Sequence, residues 1–188
     1  MGGRSRPEPP RARERRLSLA RSVDRRPSAQ GIHVPGSSAI ETLLGVVKQQ
    51  AARSGRFARV QIQGDRLVCE ADGSAEPAWY RVDCDKGRLW VSLVMRDRWL
   101  SESIEADLMH TGDKLEELID EELVDQGVEG AGPTYEHFRS DDMLFTFRTP
   151  ISPVAGDEVD ADRVMRWLLA YEACFRNLGD MESGEGEE

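Results

Sequence analysis

The sequence predicts an α+β fold in which an antiparallel sheet packs with helices as a two-layer domain. Three observations carry this. Strand-type segments follow one another from Phe57 to Met95. Amphipathic helical segments stand before, inside and after the strands. A second strand pair, Tyr135–Arg139 and Met143–Thr149, follows the acidic helix. Strands that run together, with helices set around them, build a two-layer domain rather than a parallel sheet with alternating helices.

The first helix is expected from Ser38 to about Arg53. Ser37 or Ser38 can cap it, with Glu41 as the reciprocal acid, and Ile40, Leu43, Leu44, Val47 and Ala51 follow the 3.6-residue period until Gly55 stops it. Phe57, Val60 and Ile62 lead to the turn Gly64-Asp65, and Leu67-Val68-Cys69 returns. Ala78–Cys84 makes a third strand, Asp85-Lys86-Gly87 turns, and Leu89–Met95 makes a fourth. In that strand Leu89, Val91, Leu93 and Met95 fall on one face, and Trp90 and Val94 on the other. With apolar residues on both faces, it is expected to be central and covered on each side.

Residues 99–109 fit two readings. Leu100, Ile104, Ala106 and Leu108 alternate as in a strand, while Leu100, Ile104 and Leu108 also fit a helix; a fifth strand is favoured. A helix from Asp113 to about Gln126 carries Leu115, Leu118, Ile119 and Leu123 on one side and acids on the other, and Gly127 closes it. Ser140-Asp141-Asp142 turns between the last two strands. Asp157 or Asp160 caps a final helix with the stripe Val164, Trp167, Leu168, Tyr171, Cys174 or Phe175, and Leu178.

Charge divides the chain. The first 30 residues hold nine arginines and three acids, whereas the rest holds 16 bases and 32 acids, within a total net charge of −10. Residues 1–37 combine Arg, Pro, Ser and Gly with few branched apolars, so they are expected to form a disordered basic arm. Residues 179–188 are expected to be an acidic disordered tail. The domain between them, 38–178, is acidic and repels phosphate backbones, so nucleic acid or anionic lipid enters as a partner only through the arm. No apolar signal core precedes residue 38 and no run approaches about 18 apolar residues. The expectation is a cytoplasmic protein that does not span a membrane.

No residue set reads as catalytic, cofactor-binding or metal-ligating, and no cofactor is expected. Cys69, Cys84 and Cys174 are widely spaced, without a CxxC pair, and read as reduced thiols. His33, His110 and His137 lack metal-site spacing, Gly130, Gly132 and Pro133 lack the lysine of a phosphate loop, and Ser101 and Ser103 lack a nucleophile-elbow context. Asp83, Asp85 and Gly87 lack the spacing of a calcium loop. The four tryptophans, Trp79, Trp90, Trp99 and Trp167, are more than a small acidic core readily buries. Trp and Arg favour interface centres, so Trp90, Arg96, Arg98 and Trp99 are the candidate protein-binding residues.

The phrases Arg98-Trp99-Leu100-Ser101, Glu105-Ala106-Asp107-Leu108, His110-Thr111-Gly112-Asp113 and Leu144-Phe145-Thr146-Phe147-Arg148-Thr149-Pro150 resemble the bacterial YbjN-type proteins, a group similar in fold to the small acidic chaperones of type III secretion. The resemblance spans about residues 38–178. It implies a type III secretion chaperone-like, dimer-forming module that binds proteins and has no defined active site. The Arg-rich arm and the extra strands depart from the compact secretion chaperones. The expected function is a non-enzymatic, chaperone-like, protein-binding adaptor acting as a homodimer with a partner of unknown identity. The alternative is a dimerisation module whose arm binds nucleic acid or anionic lipid.

Overall fold

The computed structural model describes residues 37–151 and 159–181. The basic arm up to residue 36, Asp157 and the acidic segment 182–188 lie outside the described residues. The elements are α1 (Ser37–Ser54), β1 (Phe57–Gln63), β2 (Arg66–Ala71), β3 (Ala78–Asp85), β4 (Arg88–Met95), α2 (Arg98–Thr111), α3 (Leu115–Asp125), β5 (Glu136–Arg139), β6 (Phe145–Pro150) and α4 (Ala161–Arg176), followed by a 3-10 turn, Gly179–Met181. The strands form one six-stranded antiparallel sheet in the order β1-β2-β3-β4-β6-β5.

Local chemistry sets the register. Lys86 (φ 48°) and Gly87 (φ 77°) both take left-handed backbone, the two-residue turn whose twist matches a hairpin, and Asp85 pairs with Arg88 across it. From there β3 and β4 pair as far as Ala78 with Met95. One row of paired residues then runs Val60, Cys69, Tyr80, Leu93, Phe147, His137 across all six strands. Partners in a row share a face, so this row and its alternates face one way.

That face is the core. Leu44, Val47 and Ala51 of α1, Leu100 and Ile104 of α2, Leu115, Ile119 and Leu123 of α3, and the stripe of α4 all join the cluster built on it. Asp160 caps α4 by accepting from the Arg163 amide at 2.8 Å. The ring of Phe147 meets Phe175 at 5.4 Å, Phe175 meets Tyr171 at 4.9 Å, and the Tyr171 hydroxyl lies 3.3 Å from the Thr149 hydroxyl. Cys69 and Cys174 are buried in this layer, and burial alone pushes the Cys69 thiol up to about 12. All three cysteines are free thiols.

Two expectations need correction. Residues 99–109 are helical, within α2, not a fifth strand. Asp97 accepts from the Leu100 amide at 2.8 Å, Gly112 (φ 79°) closes the other end, and the four-residue spacing of Leu100, Ile104 and Leu108 turns them inward while Ala106 is exposed. The packed chain also continues past Leu178, because Met181 is only 1% exposed in the 3-10 turn seated on α2. The expectation for β4 holds: it is central and buried on both faces, with helices on the core face and arginine side chains over Trp90 on the other. Among the described residues, the helices pack on the core face alone.

Candidate functional site

Strand alternation sends a second set of residues to the face opposite the helices. Trp79, Arg81, Asp83 and Asp85 come from β3; Arg88, Trp90, Ser92 and Val94 come from β4; Val68 and Glu70 from β2, and Arg148 and Phe138 from β6 and β5, pair beside them. Six arginines (Arg59, Arg66, Arg81, Arg88, Arg96, Arg148) and four acids (Glu70, Asp83, Asp85, Glu136) share this face. Asp65 and Asp142 act on the same arginines from the adjoining turns, so the face is one of paired charges.

Arginines also cover its aromatic rings. The Arg148 guanidinium lies 4.0 Å from the centre of the Trp90 ring and 5.0 Å from that of Phe138, while reaching Glu136 at 2.7 Å and Asp85 at 3.5 Å. Arg88 approaches the other side of the pattern, 5.8 Å from the Trp90 ring. A planar guanidinium can stack on a ring and donate to carboxylates at once, which a lysine cannot. Trp90 is therefore only 7% exposed although no described helix lies over it. Its indole N–H has no acceptor among the described residues.

Beyond Ser92 the face sinks into a depression of about 190 Å³ lined by Gln63, Val68, Trp79, Arg81, Arg96 and Leu144. Val68, Trp79 and Leu144 give it apolar walls, and Gln63, Arg81 and Arg96 give it a larger polar share. Arg81 Nε is buried there without an acceptor among the described residues. Burial first, and then the positive charge of Arg66, hold the Arg81 side chain below its ordinary value, against the opposing pull of Asp83 and Asp142, with Arg96 adding a smaller push downward.

The four candidate binding residues do not form one patch. Trp90 lies under Arg148 in the middle of the sheet. Arg96, six residues along, lies about 20 Å away at 3.3 Å per residue and lines the depression. Arg98 and Trp99 occupy the first turn of α2, where Arg98 pairs with Glu102 at 2.6 Å and Trp99 is 74% exposed. Trp79, Arg81 and Arg148 are the residues that sequence reasoning missed. The alternation Trp79, Arg81, Asp83, Asp85 against the apolar Ala78, Tyr80, Val82, Cys84 is the signal that could have found the first two.

A second grouping was also invisible in the sequence. The Ser101 hydroxyl lies 3.3 Å from His137 Nε2, and His137 Nδ1 lies 3.6 Å from a Glu105 carboxylate oxygen. The order is that of a serine–histidine–acid triad. However, Ser101 is fully buried inside α2, and the imidazole is stacked flat on Phe147 at 3.8 Å. A nucleophile needs a face open to its carbonyl, and this hydroxyl has none. The contact instead ties α2 to the β5–β6 edge. Among the described residues no group of three metal-ligating side chains occurs and no helix is long and apolar enough to cross a membrane.

The histidine gives a test of that structural role. Burial holds the His137 imidazole below its ordinary 6.5, outweighing the nearby Glu105 carboxylate, which pulls it up. A histidine that titrates lower in the folded state contributes stability above its unfolded value, and that contribution is lost as pH falls through the folded value. Urea unfolding at pH steps below about 6.5 is therefore expected to show declining stability, with a shallower decline in His137→Gln. Parallel acid limbs for the two proteins would rule the histidine out as a cause.

Comparison with known proteins finds no matching family model, no matching curated protein and no matching solved structure.

Proposed function

We propose that this chain is a non-enzymatic, chaperone-like adaptor that binds protein, acting as a homodimer or on a partner, through the sheet face opposite its helices and the adjoining first turn of α2. The observation that carries the reading is the arginine–tryptophan face left without a helix among the described residues. Its composition is rich in Trp and Arg, as interface centres are, laid over Val68, Val94 and Leu144, which are themselves buried. Trp99, largely exposed in the first turn of α2, adds an apolar side chain that the core does not use. The resemblance to YbjN-type proteins supports the same class of activity.

Sedimentation and melting of one variant test this together. Trp99→Ala is expected to weaken self-association or partner affinity by about 1–3 kcal/mol, as loss of an interface anchor does, and to leave the melting temperature unchanged. A chain that sediments as a monomer at every concentration removes the homodimer. If Trp99→Ala instead melts early with its association intact, Trp99 is a packing residue and the interface is elsewhere. Salt-dependent retention of DNA that vanishes on deleting residues 1–36 would move the function to the arm.

A further inference from the structure

We propose that the depression on the sheet face away from the helices binds the glutamate-rich segment 182–188 of the same chain, whose carboxylates pair with Arg81 and Arg96 over the Trp79 ring. This does not depend on whether the face also binds another protein.

Three observations lead to it. The first is the site. Arg81 Nε is buried, has no acceptor among the described residues, and shares the depression with Arg96; the carboxylates of Asp83 and Asp142 offset its charge only in part, since burial and Arg66 outweigh them. A carboxylate placed between the two arginines of the depression offsets the remainder and accepts charge-assisted hydrogen bonds in a setting partly shielded from water. The second is the segment, Glu182-Ser183-Gly184-Glu185-Gly186-Glu187-Glu188, which has four acids and no base. The glycines give it little side-chain bulk to seat in a shallow hollow.

The third is where the segment starts. The 3-10 turn is fixed by three hydrogen bonds: Gly179 N–H to Asp107 Oδ2 at 3.1 Å, Asp180 N–H to Ser103 Oγ at 3.0 Å, and Ala75 N–H to the Asp180 carbonyl at 3.1 Å. Ala75 lies in the β2–β3 connection, four residues before Trp79. Ala78 pairs with Met95, the residue before Arg96. The segment therefore leaves from the end of the sheet at which the depression lies. Four residues reach at most about 14 Å and seven at most about 25 Å, so the chain is long enough. A free acidic peptide would be repelled by the acidic domain. A tethered one has an effective concentration in the millimolar range and overcomes this. The nine arginines of the arm are the competing destination.

The test uses the full chain with Cys84→Ser, since Cys69 and Cys174 are buried, and a nitroxide on Gly186→Cys. Paramagnetic broadening is read at the Trp79 indole N–H and the Arg81 Nε–H. Both signals are expected to broaden at low salt and to recover at about 1 M salt, where charges are screened over about 3 Å. Changing Glu182, Glu185, Glu187 and Glu188 to Gln is expected to abolish the broadening. So is the pair Arg81→Gln and Arg96→Gln, read at Trp79, with the dispersion of the amide spectrum showing that the fold is kept. Unbroadened signals at low salt overturn the proposal, as does broadening that survives the glutamine changes. Broadening confined to the arm assigns the segment to the arm instead, and broadening seen only when nitroxide-bearing and isotope-labelled chains are mixed assigns it to a neighbouring copy; either result overturns it.

Discussion

Trp167→Ala is expected to destabilise the protein by about 3–5 kcal/mol, the range for emptying a buried indole site. Trp167 is 0% exposed at the centre of α4. That helix packs against α1, α3 and the central strands β3 and β4, so a cavity there cannot be closed by one element shifting. Its indole N–H has no acceptor among the described residues, so the loss is one of apolar contact rather than of a hydrogen bond. In urea unfolding the midpoint should fall with little change in slope, and the melting temperature should fall on the order of 10–20 °C. Trp99→Ala, at 74% exposure, is the internal contrast and should leave the midpoint where it was. Two variants with the same midpoint would mean that α4 is not the keystone of the helix layer.

How far the sequence could be read depends on what each signal measured. The stripe of α4, Val164 to Leu178, was legible because every third or fourth residue is apolar and all of them are buried. The β5–β6 hairpin was legible from propensity and the turn at Ser140. The α2 segment was not, because Leu100, Ile104 and Leu108 satisfy both periods. Only the cap decides between them, since Asp97 must leave the sheet for its carboxylate to reach the Leu100 amide. The open face was half legible. Apolar residues at Trp90 and Val94 implied cover, but sequence could not say that arginine side chains from β4 and β6 would supply part of it. The Ser101–His137 contact joins residues 36 positions apart. No local pattern encodes it, because it depends on β5 lying at the sheet edge beside α2.

Gly179→Ala tests the feature that the sequence placed in a disordered tail. Gly179 has φ +54°, and a Cβ built on it would lie 2.5 Å from the Ser103 hydroxyl, 2.6 Å from the Ser103 carbonyl carbon and 2.7 Å from the Ile104 amide nitrogen. Two of those three atoms are helix backbone, which cannot swing aside as a side-chain tip could. Left-handed backbone costs alanine about 1 kcal/mol, and overpacking adds about 1–3 kcal/mol, giving about 2–4 kcal/mol if the turn stays seated. The alternative is for the turn to lift off. That exposes Met181 and breaks the hydrogen bonds to Asp107, Ser103 and Ala75, a loss of similar size. Both routes lower the melting temperature, and hydrogen exchange separates them, since lifting exposes the Ala75, Gly179 and Asp180 amides. Gly130→Ala is the control for backbone strain alone, because Gly130 has φ +66° with nothing within 4 Å of a built Cβ. If Gly179→Ala costs no more than Gly130→Ala, the turn is not seated on α2.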